Sequence, residues 1–136
     1  MLFGFAKPKR AKPLILHADD DAISHALITA MVQELGYDCM AAANGMEAFQ
    51  LAEKLLPDVI LMDVNMPIMD GIEACRIIKL KATTKHIPVI MLTSMDMVKD
   101  VDKAMAAGAN AYLCKPVDMP LLQAKLTAVI PPPPPA

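Results

Sequence analysis

Five side chains in this 136-residue sequence have the chemistry to act together on a charged ligand. They are the carboxylates of Asp19, Asp20 and Asp63, the hydroxyl of Thr93 and the ammonium of Lys115. Carboxylates brought close together repel one another unless a cation neutralises them. Hard oxygen donors suit Mg²⁺, which takes one or two carboxylates, waters and a phosphate; Mn²⁺ is the second candidate. An ammonium and a hydroxyl facing the same crevice could hold the oxygens of a phosphoryl group. The set points to phosphoryl chemistry on a carboxylate, with Asp63 as the nucleophile.

Such a convergence needs elements that carry all five residues to one edge. Each of them follows a short apolar run: Leu14 to Ala18, Val59 to Met62, Pro88 to Leu92 and Ala111 to Cys114. Between the runs lie helical patterns. Residues 22–35 carry Ile23, Leu27, Ile28, Met31, Val32 and Leu35 at helical spacing, and Gly36 is a natural stop. Tyr37 to Ala43 reads as a weak strand closed by the turn pair Asn44-Gly45. Met46 to Leu56 reads as a helix ended by Pro57; residues 71–82, 97–107 and 118–130 read as three more. Five strand–helix units in alternation predict an α/β fold: a doubly wound parallel sheet with helices on both faces and right-handed crossovers. Its strands are continuous apolar runs because both faces are covered. In such sheets ligands bind beyond the carboxyl ends of the strands, where the five residues stand.

Composition excludes several classes. The net charge of –2 divides into +4 from Lys7, Lys9, Arg10 and Lys12 and about –6 over residues 14–136. That balance argues against direct nucleic-acid binding by the body of the protein. Aromatic residues make up 4% and tryptophan is absent, so no base-stacking surface is expected. No apolar run approaches the roughly 18 residues of a membrane span, and the order of apolar and basic residues at the N-terminus is the reverse of a secretory signal. Cys39, Cys75 and Cys114 lack zinc-site or CxxC spacing and read as small core residues, which fits a cytoplasmic setting. Residues 1–13 read as a basic, flexible arm, 14–130 as one domain, and 131–136 as a proline-rich tail.

The runs LILHADDD, VILMDVNMPIMDG, PVIMLTS and GANAYLCKP, taken in order, resemble the receiver (response-regulator) domain of bacterial two-component systems, including chemotaxis receivers. The resemblance covers about residues 14–130. It implies the flavodoxin-like five-stranded sheet in the order 2-1-3-4-5 with five helices. It also implies that Asp63 takes a phosphoryl group from a histidine kinase or phosphotransfer protein in a Mg²⁺-dependent reaction. Asp20 then matches the direct metal ligand, Asp19 the acid that reaches the metal through water, and Asn65 the residue whose backbone carbonyl binds it. Thr93 and Lys115 match the groups that hold the phosphoryl oxygens, Lys115-Pro116 matches a cis peptide, and Tyr112 matches the aromatic switch that moves with Thr93. Such a protein catalyses its own phosphorylation and dephosphorylation without being a conventional enzyme. It signals to a downstream protein through the face of its fourth helix, fifth strand and fifth helix, as a monomer or a weak phosphorylation-dependent dimer.

The expectation is therefore a single-domain response regulator; the alternatives are the receiver of a longer regulator and a phosphorylation-independent interaction module. A haloacid-dehalogenase-type phosphatase would place a second aspartate where Asn65 stands, and a nucleotide or flavin module would need a glycine-rich loop where Asp19 to Asp21 stand. Asp21 reads as a helix cap, His17 as a satisfied buried histidine, and His25 and His86 as surface residues. Met95, Met97, Met105 and Met119 mark a candidate output surface.

Overall fold

The computed structural model describes residues 9–94 and 98–130. Ten elements alternate: β1 (Leu14–Ala18), α1 (Ala22–Glu34), β2 (Asp38–Ala42), α2 (Gly45–Leu55), β3 (Val59–Asp63), α3 (Gly71–Leu80), β4 (Val89–Ser94), α4 (Val98–Ala106), β5 (Ala111–Lys115) and α5 (Met119–Val129). The five strands form one parallel sheet in the order β2-β1-β3-β4-β5. This is the flavodoxin-like topology that the resemblance to receiver domains implies. The proline tail, Met95, Met97 and the expected start of the fourth helix at residue 97 lie outside the described residues.

The sheet separates two cores. Ile15, Leu61, Ile90, Leu92 and Leu113 pack with Ile28 and Val32 of α1 and with Leu122 and Leu126 of α5. Leu16, Ile60, Met62 and Met91 pack on the other side with Ala48 and Ala52 of α2, Ala74, Cys75 and Ile78 of α3, and Ala104 of α4. Every residue of β1 and β3 is buried, as strands covered on both faces must be.

Helix starts are fixed by short polar caps. Asp21, Asn44, Asp70 and Asp118 accept hydrogen bonds from the backbone N–H groups of Ser24, Glu47, Glu73 and Leu121. Asp21 is thus the cap foreseen for the first helix, and that bond holds its carboxyl below the usual range. Gly45 belongs to the helix rather than to a preceding turn. α3 ends two residues before the expected position because Lys81 turns extended and the Thr84 hydroxyl caps the Ile78 carbonyl at 2.8 Å.

The basic segment is anchored where it is described. Arg10 donates to the carbonyls of Leu55 and Leu56 at the end of α2 and lies 4.0 Å from Asp58. Two other contacts set the site loops. The Gly45 N–H donates to the Met69 carbonyl at 2.9 Å, tying α2 to the β3–α3 loop. At Gly71 a Cβ would stand 2.0 Å from the carbonyl oxygen of Asp63, so only glycine lets α3 start against the end of β3. Gly71→Ala is expected to destabilise the fold by about 3 kcal/mol, because backbone rather than a flexible side chain must yield. Urea unfolding would measure this, and an unchanged midpoint would contradict the contact.

Candidate functional site

Parallel strands deliver their carboxyl ends to one edge, and β1 and β3 are neighbours there. One oxygen each from Asp19, Asp20 and Asp63 fit within 4.8 Å of one another. Asp19 and Asp63 are buried and Asp20 is exposed. The Lys115 Nζ, at the end of the edge strand β5, reaches past β4 to within 3.1 Å of Asp63 Oδ1 and 3.2 Å of Asp19 Oδ2. The other oxygen of Asp19 accepts the backbone N–H of Asp21 at 2.9 Å. The peptide bond from Lys115 to Pro116 is cis.

The charges respond to this crowding. Burial pushes the Asp63 carboxyl up; Lys115 opposes that shift, whereas Asp19 and Asp20 add to it. Burial works against the Lys115 ammonium, but Asp63 and then Asp19 outweigh it and hold the group above its ordinary value. Among the described residues, three clustered acids thus have one ammonium, which pairs with Asp19 and Asp63, an imbalance that a divalent cation would correct. Three convergent carboxylate oxygens are also the hard donor set that such an ion takes. The residues therefore fit a hard divalent cation.

Other residues singled out from the sequence are placed differently. Asn65 is exposed, two residues beyond β3. Thr93 is buried at the end of β4, and its hydroxyl donates to the Ser94 carbonyl at 3.3 Å rather than to the acids. Thr93 and Tyr112 line one cavity of about 520 Å³ with Lys99, Asp102 and Cys114. Tyr112 is 41% exposed, with the Lys125 ammonium 6.0 Å from its ring centre. Cys114 is exposed, not a core residue, because its side chain alternates outward from Leu113 on the edge strand β5.

Two histidines lie behind the acids. His17 of β1 is fully buried, and its Nδ1 is 2.7 Å from Nδ1 of His25 on α1. His25 is thus no simple surface residue. Its spacing from Ile28 and Val32, three and seven residues on, places it on the inward face of α1 and was the available signal. His17 is not fully satisfied either, since the Nε2 atoms of both rings are buried without a hydrogen-bond partner. Burial first, and then the neighbouring His25, lower the pKa of His17 to about 4, against the opposing effect of Asp19.

This fold and site define a signalling receiver. The response regulator receiver domain family matches residues 15–127, and the chain belongs to that family. Among its relatives, Protein PilH of Pseudomonas aeruginosa is 38% identical over 116 residues, covering 85% of this chain and 96% of PilH. The DNA-binding dual master transcriptional regulator RpaA of a Synechocystis strain is 34% identical over 118 residues, 87% of this chain. The chain spans 49% of RpaA, about half its length. Among solved structures, the receiver domain of a sensor histidine kinase of Pseudomonas aeruginosa superposes with a TM-score of 0.81 at 34% identity, over 87% of this chain and 97% of that one. It carries a magnesium ion coordinated in its active-site cleft.

Neutral burial of His17 has a pH consequence. Its folded pKa lies below its unfolded value of about 6.5, so its share of the stability is present above pH 6.5 and is lost as pH falls towards 4. In urea unfolding without divalent cations, the wild type is expected to lose about 1.5 kcal/mol more than His17→Leu between pH 6.5 and 5. Equal losses would contradict neutral burial.

Proposed function

We propose that this receiver domain accepts a phosphoryl group on Asp63 from the phosphohistidine of a histidine kinase or phosphotransfer protein. The observation that carries the reading is the Lys115 ammonium seated between Asp63 and Asp19, with Asp20 alongside, at the carboxyl edge of the sheet. Asp19, Asp20, Asp63 and the backbone carbonyl of Asn65 would hold a magnesium ion, with manganese as the other candidate. Such an ion, when bound, supplies positive charge against the acids and the incoming phosphoryl oxygens.

The remaining work falls to the chain. An Asp63 carboxylate oxygen attacks phosphorus in line as the phosphorus–nitrogen bond of the donor breaks, leaving its electron pair on the donor imidazole. Lys115 leaves its ion pair with Asp63 and takes a phosphoryl oxygen. Thr93 turns its hydroxyl from the Ser94 carbonyl to another oxygen, and attack by water on the acyl phosphate later resets the site. Thr93 and Tyr112 line one cavity, so movement of the hydroxyl opens space into which the exposed Tyr112 ring can turn. This shifts an existing equilibrium of the α4–β5–α5 face, where Met105 is also exposed, toward a form recognised by a downstream protein.

A protein that acts through such a surface needs no DNA contact of its own. It acts in the cytoplasm, as a monomer or a weak phosphorylation-dependent dimer. Among the described residues no helix is long and apolar enough to cross a membrane. Its near-complete coverage of PilH favours a single-domain regulator, and its half coverage of RpaA favours the receiver of a longer one.

Incubation with acetyl phosphate and magnesium is expected to label the wild type, and chelation or Asp63→Asn to abolish labelling. Undiminished magnesium-dependent labelling of Asp63→Asn would refute the assignment. Asp20→Asn, an exposed change, is expected to weaken magnesium binding about tenfold with the fold retained; calorimetric titration would measure it, and unchanged affinity would remove Asp20 from the site.

A further inference from the structure

The pairing of buried His17 with half-buried His25 is not accounted for by the chemistry above. His17 and His25 stand with ring centres 4.5 Å apart and planes at 76°, Nδ1 facing Nδ1. His17 Nε2, on the far side of the ring, is 3.7 Å from Asp19 Oδ2, the same oxygen that Lys115 approaches. Both Nε2 atoms are otherwise without partners.

We infer that His17 is a positioning residue, whose Nε2–H, selected by a hydrogen bond from His25 Nδ1–H to His17 Nδ1, orients the Asp19 carboxylate for the cation. The inference rests on the reading of Asp19 as part of a metal site. A separation of 2.7 Å between two ring nitrogens requires a hydrogen on one of them and a lone pair on the other. If His17 supplied the hydrogen, its bare Nε2 would turn a lone pair toward the Asp19 carboxylate, and neutral His25 would bury an N–H with no acceptor. If His25 supplies it, the His17 Nε2–H faces the carboxylate at 3.7 Å, an electrostatic contact longer than a hydrogen bond, and the group left facing nothing is a lone pair on His25, which costs less than an unmet donor. The second arrangement is the one the electrostatics select.

The consequence is a line of three groups, from His25 on α1 through His17 on β1 to Asp19 at the strand end. Asp19 Oδ1 is already fixed by the Asp21 N–H. With the His17 N–H and Lys115 both on the Oδ2 side, the carboxylate keeps its orientation even when Lys115 departs for a phosphoryl oxygen. Groups that orient ligating carboxylates in this way affect metal affinity about as strongly as a weak ligand does.

Two measurements test this. Long-range proton–nitrogen correlation spectra of the metal-free protein, labelled with ¹⁵N histidine, are expected to show His17 protonated at Nε2 and bare at Nδ1, and His25 protonated at Nδ1. The reversed pattern would overturn the inference whatever the protein binds. Calorimetric titration with magnesium is expected to show His17→Leu weakened about tenfold, with His17→Gln, whose amide nitrogen can occupy the place of Nε2, returning to within about threefold of the wild type. Equal affinity in wild type and folded His17→Leu would also overturn it. Should His17→Leu not fold, the tautomer pattern of the wild type decides alone. A wild type that binds no magnesium refutes the site reading and this inference together, whereas binding with the reversed tautomers refutes this inference alone.

Discussion

The structure turns on one electrostatic constraint: three carboxylates crowd the ends of two adjacent strands, and among the described residues one ammonium, that of Lys115, pairs with two of them. Asp19, Asp20 and Asp63 converge because β1 and β3 pair in parallel and in register, so that their carboxyl ends finish side by side. Lys115 can reach them only because β5 runs in the same direction at the edge of the same sheet. An antiparallel pairing of β1 and β3 would put their acids at opposite edges. The apolar strands buy this convergence with two cores, one on each face, and the site needs both.

Much of this was legible in the sequence, for a physical reason. Strand-end polarity is a local signal: an apolar run that stops at a charged residue marks both the strand and its edge. Alternation of those runs with helical spacing then leaves few topologies. Asp19, Asp20, Asp63 and Lys115 could therefore be brought together on paper. The boundaries were less legible where side chains finish an element from a distance. The Thr84 hydroxyl ends α3 by taking the Ile78 carbonyl, and Gly45 opens α2 because it bonds to Met69 across a loop.

Side-chain placement behind and beside the site was least legible. The position of Thr93 on β4 follows from the pattern, but its bond to Ser94 depends on a rotamer that sequence does not specify. His25 looked like a surface residue because its neighbours Ile23 and Leu27 are themselves exposed, which blurs the apolar stripe of α1. Its contact with His17 arises only when the helix packs on the sheet. The basic segment, read as flexible, has Arg10 closing the end of α2 through carbonyls of Leu55 and Leu56 that no local pattern announces.

Charge balance and packing also meet at this edge of the sheet. Lys115 compensates the acids in the state described here, while Thr93 and Tyr112 occupy positions that leave a cavity between them. The central claim is that the acid cluster is a divalent-cation site, and it is tested most directly by following backbone amide resonances during a magnesium titration. One saturable site is predicted, with its perturbations centred on Asp19, Asp20, Asp63 and Asn65. Absence of saturable perturbation there, or saturation centred elsewhere on the molecule, would contradict the account.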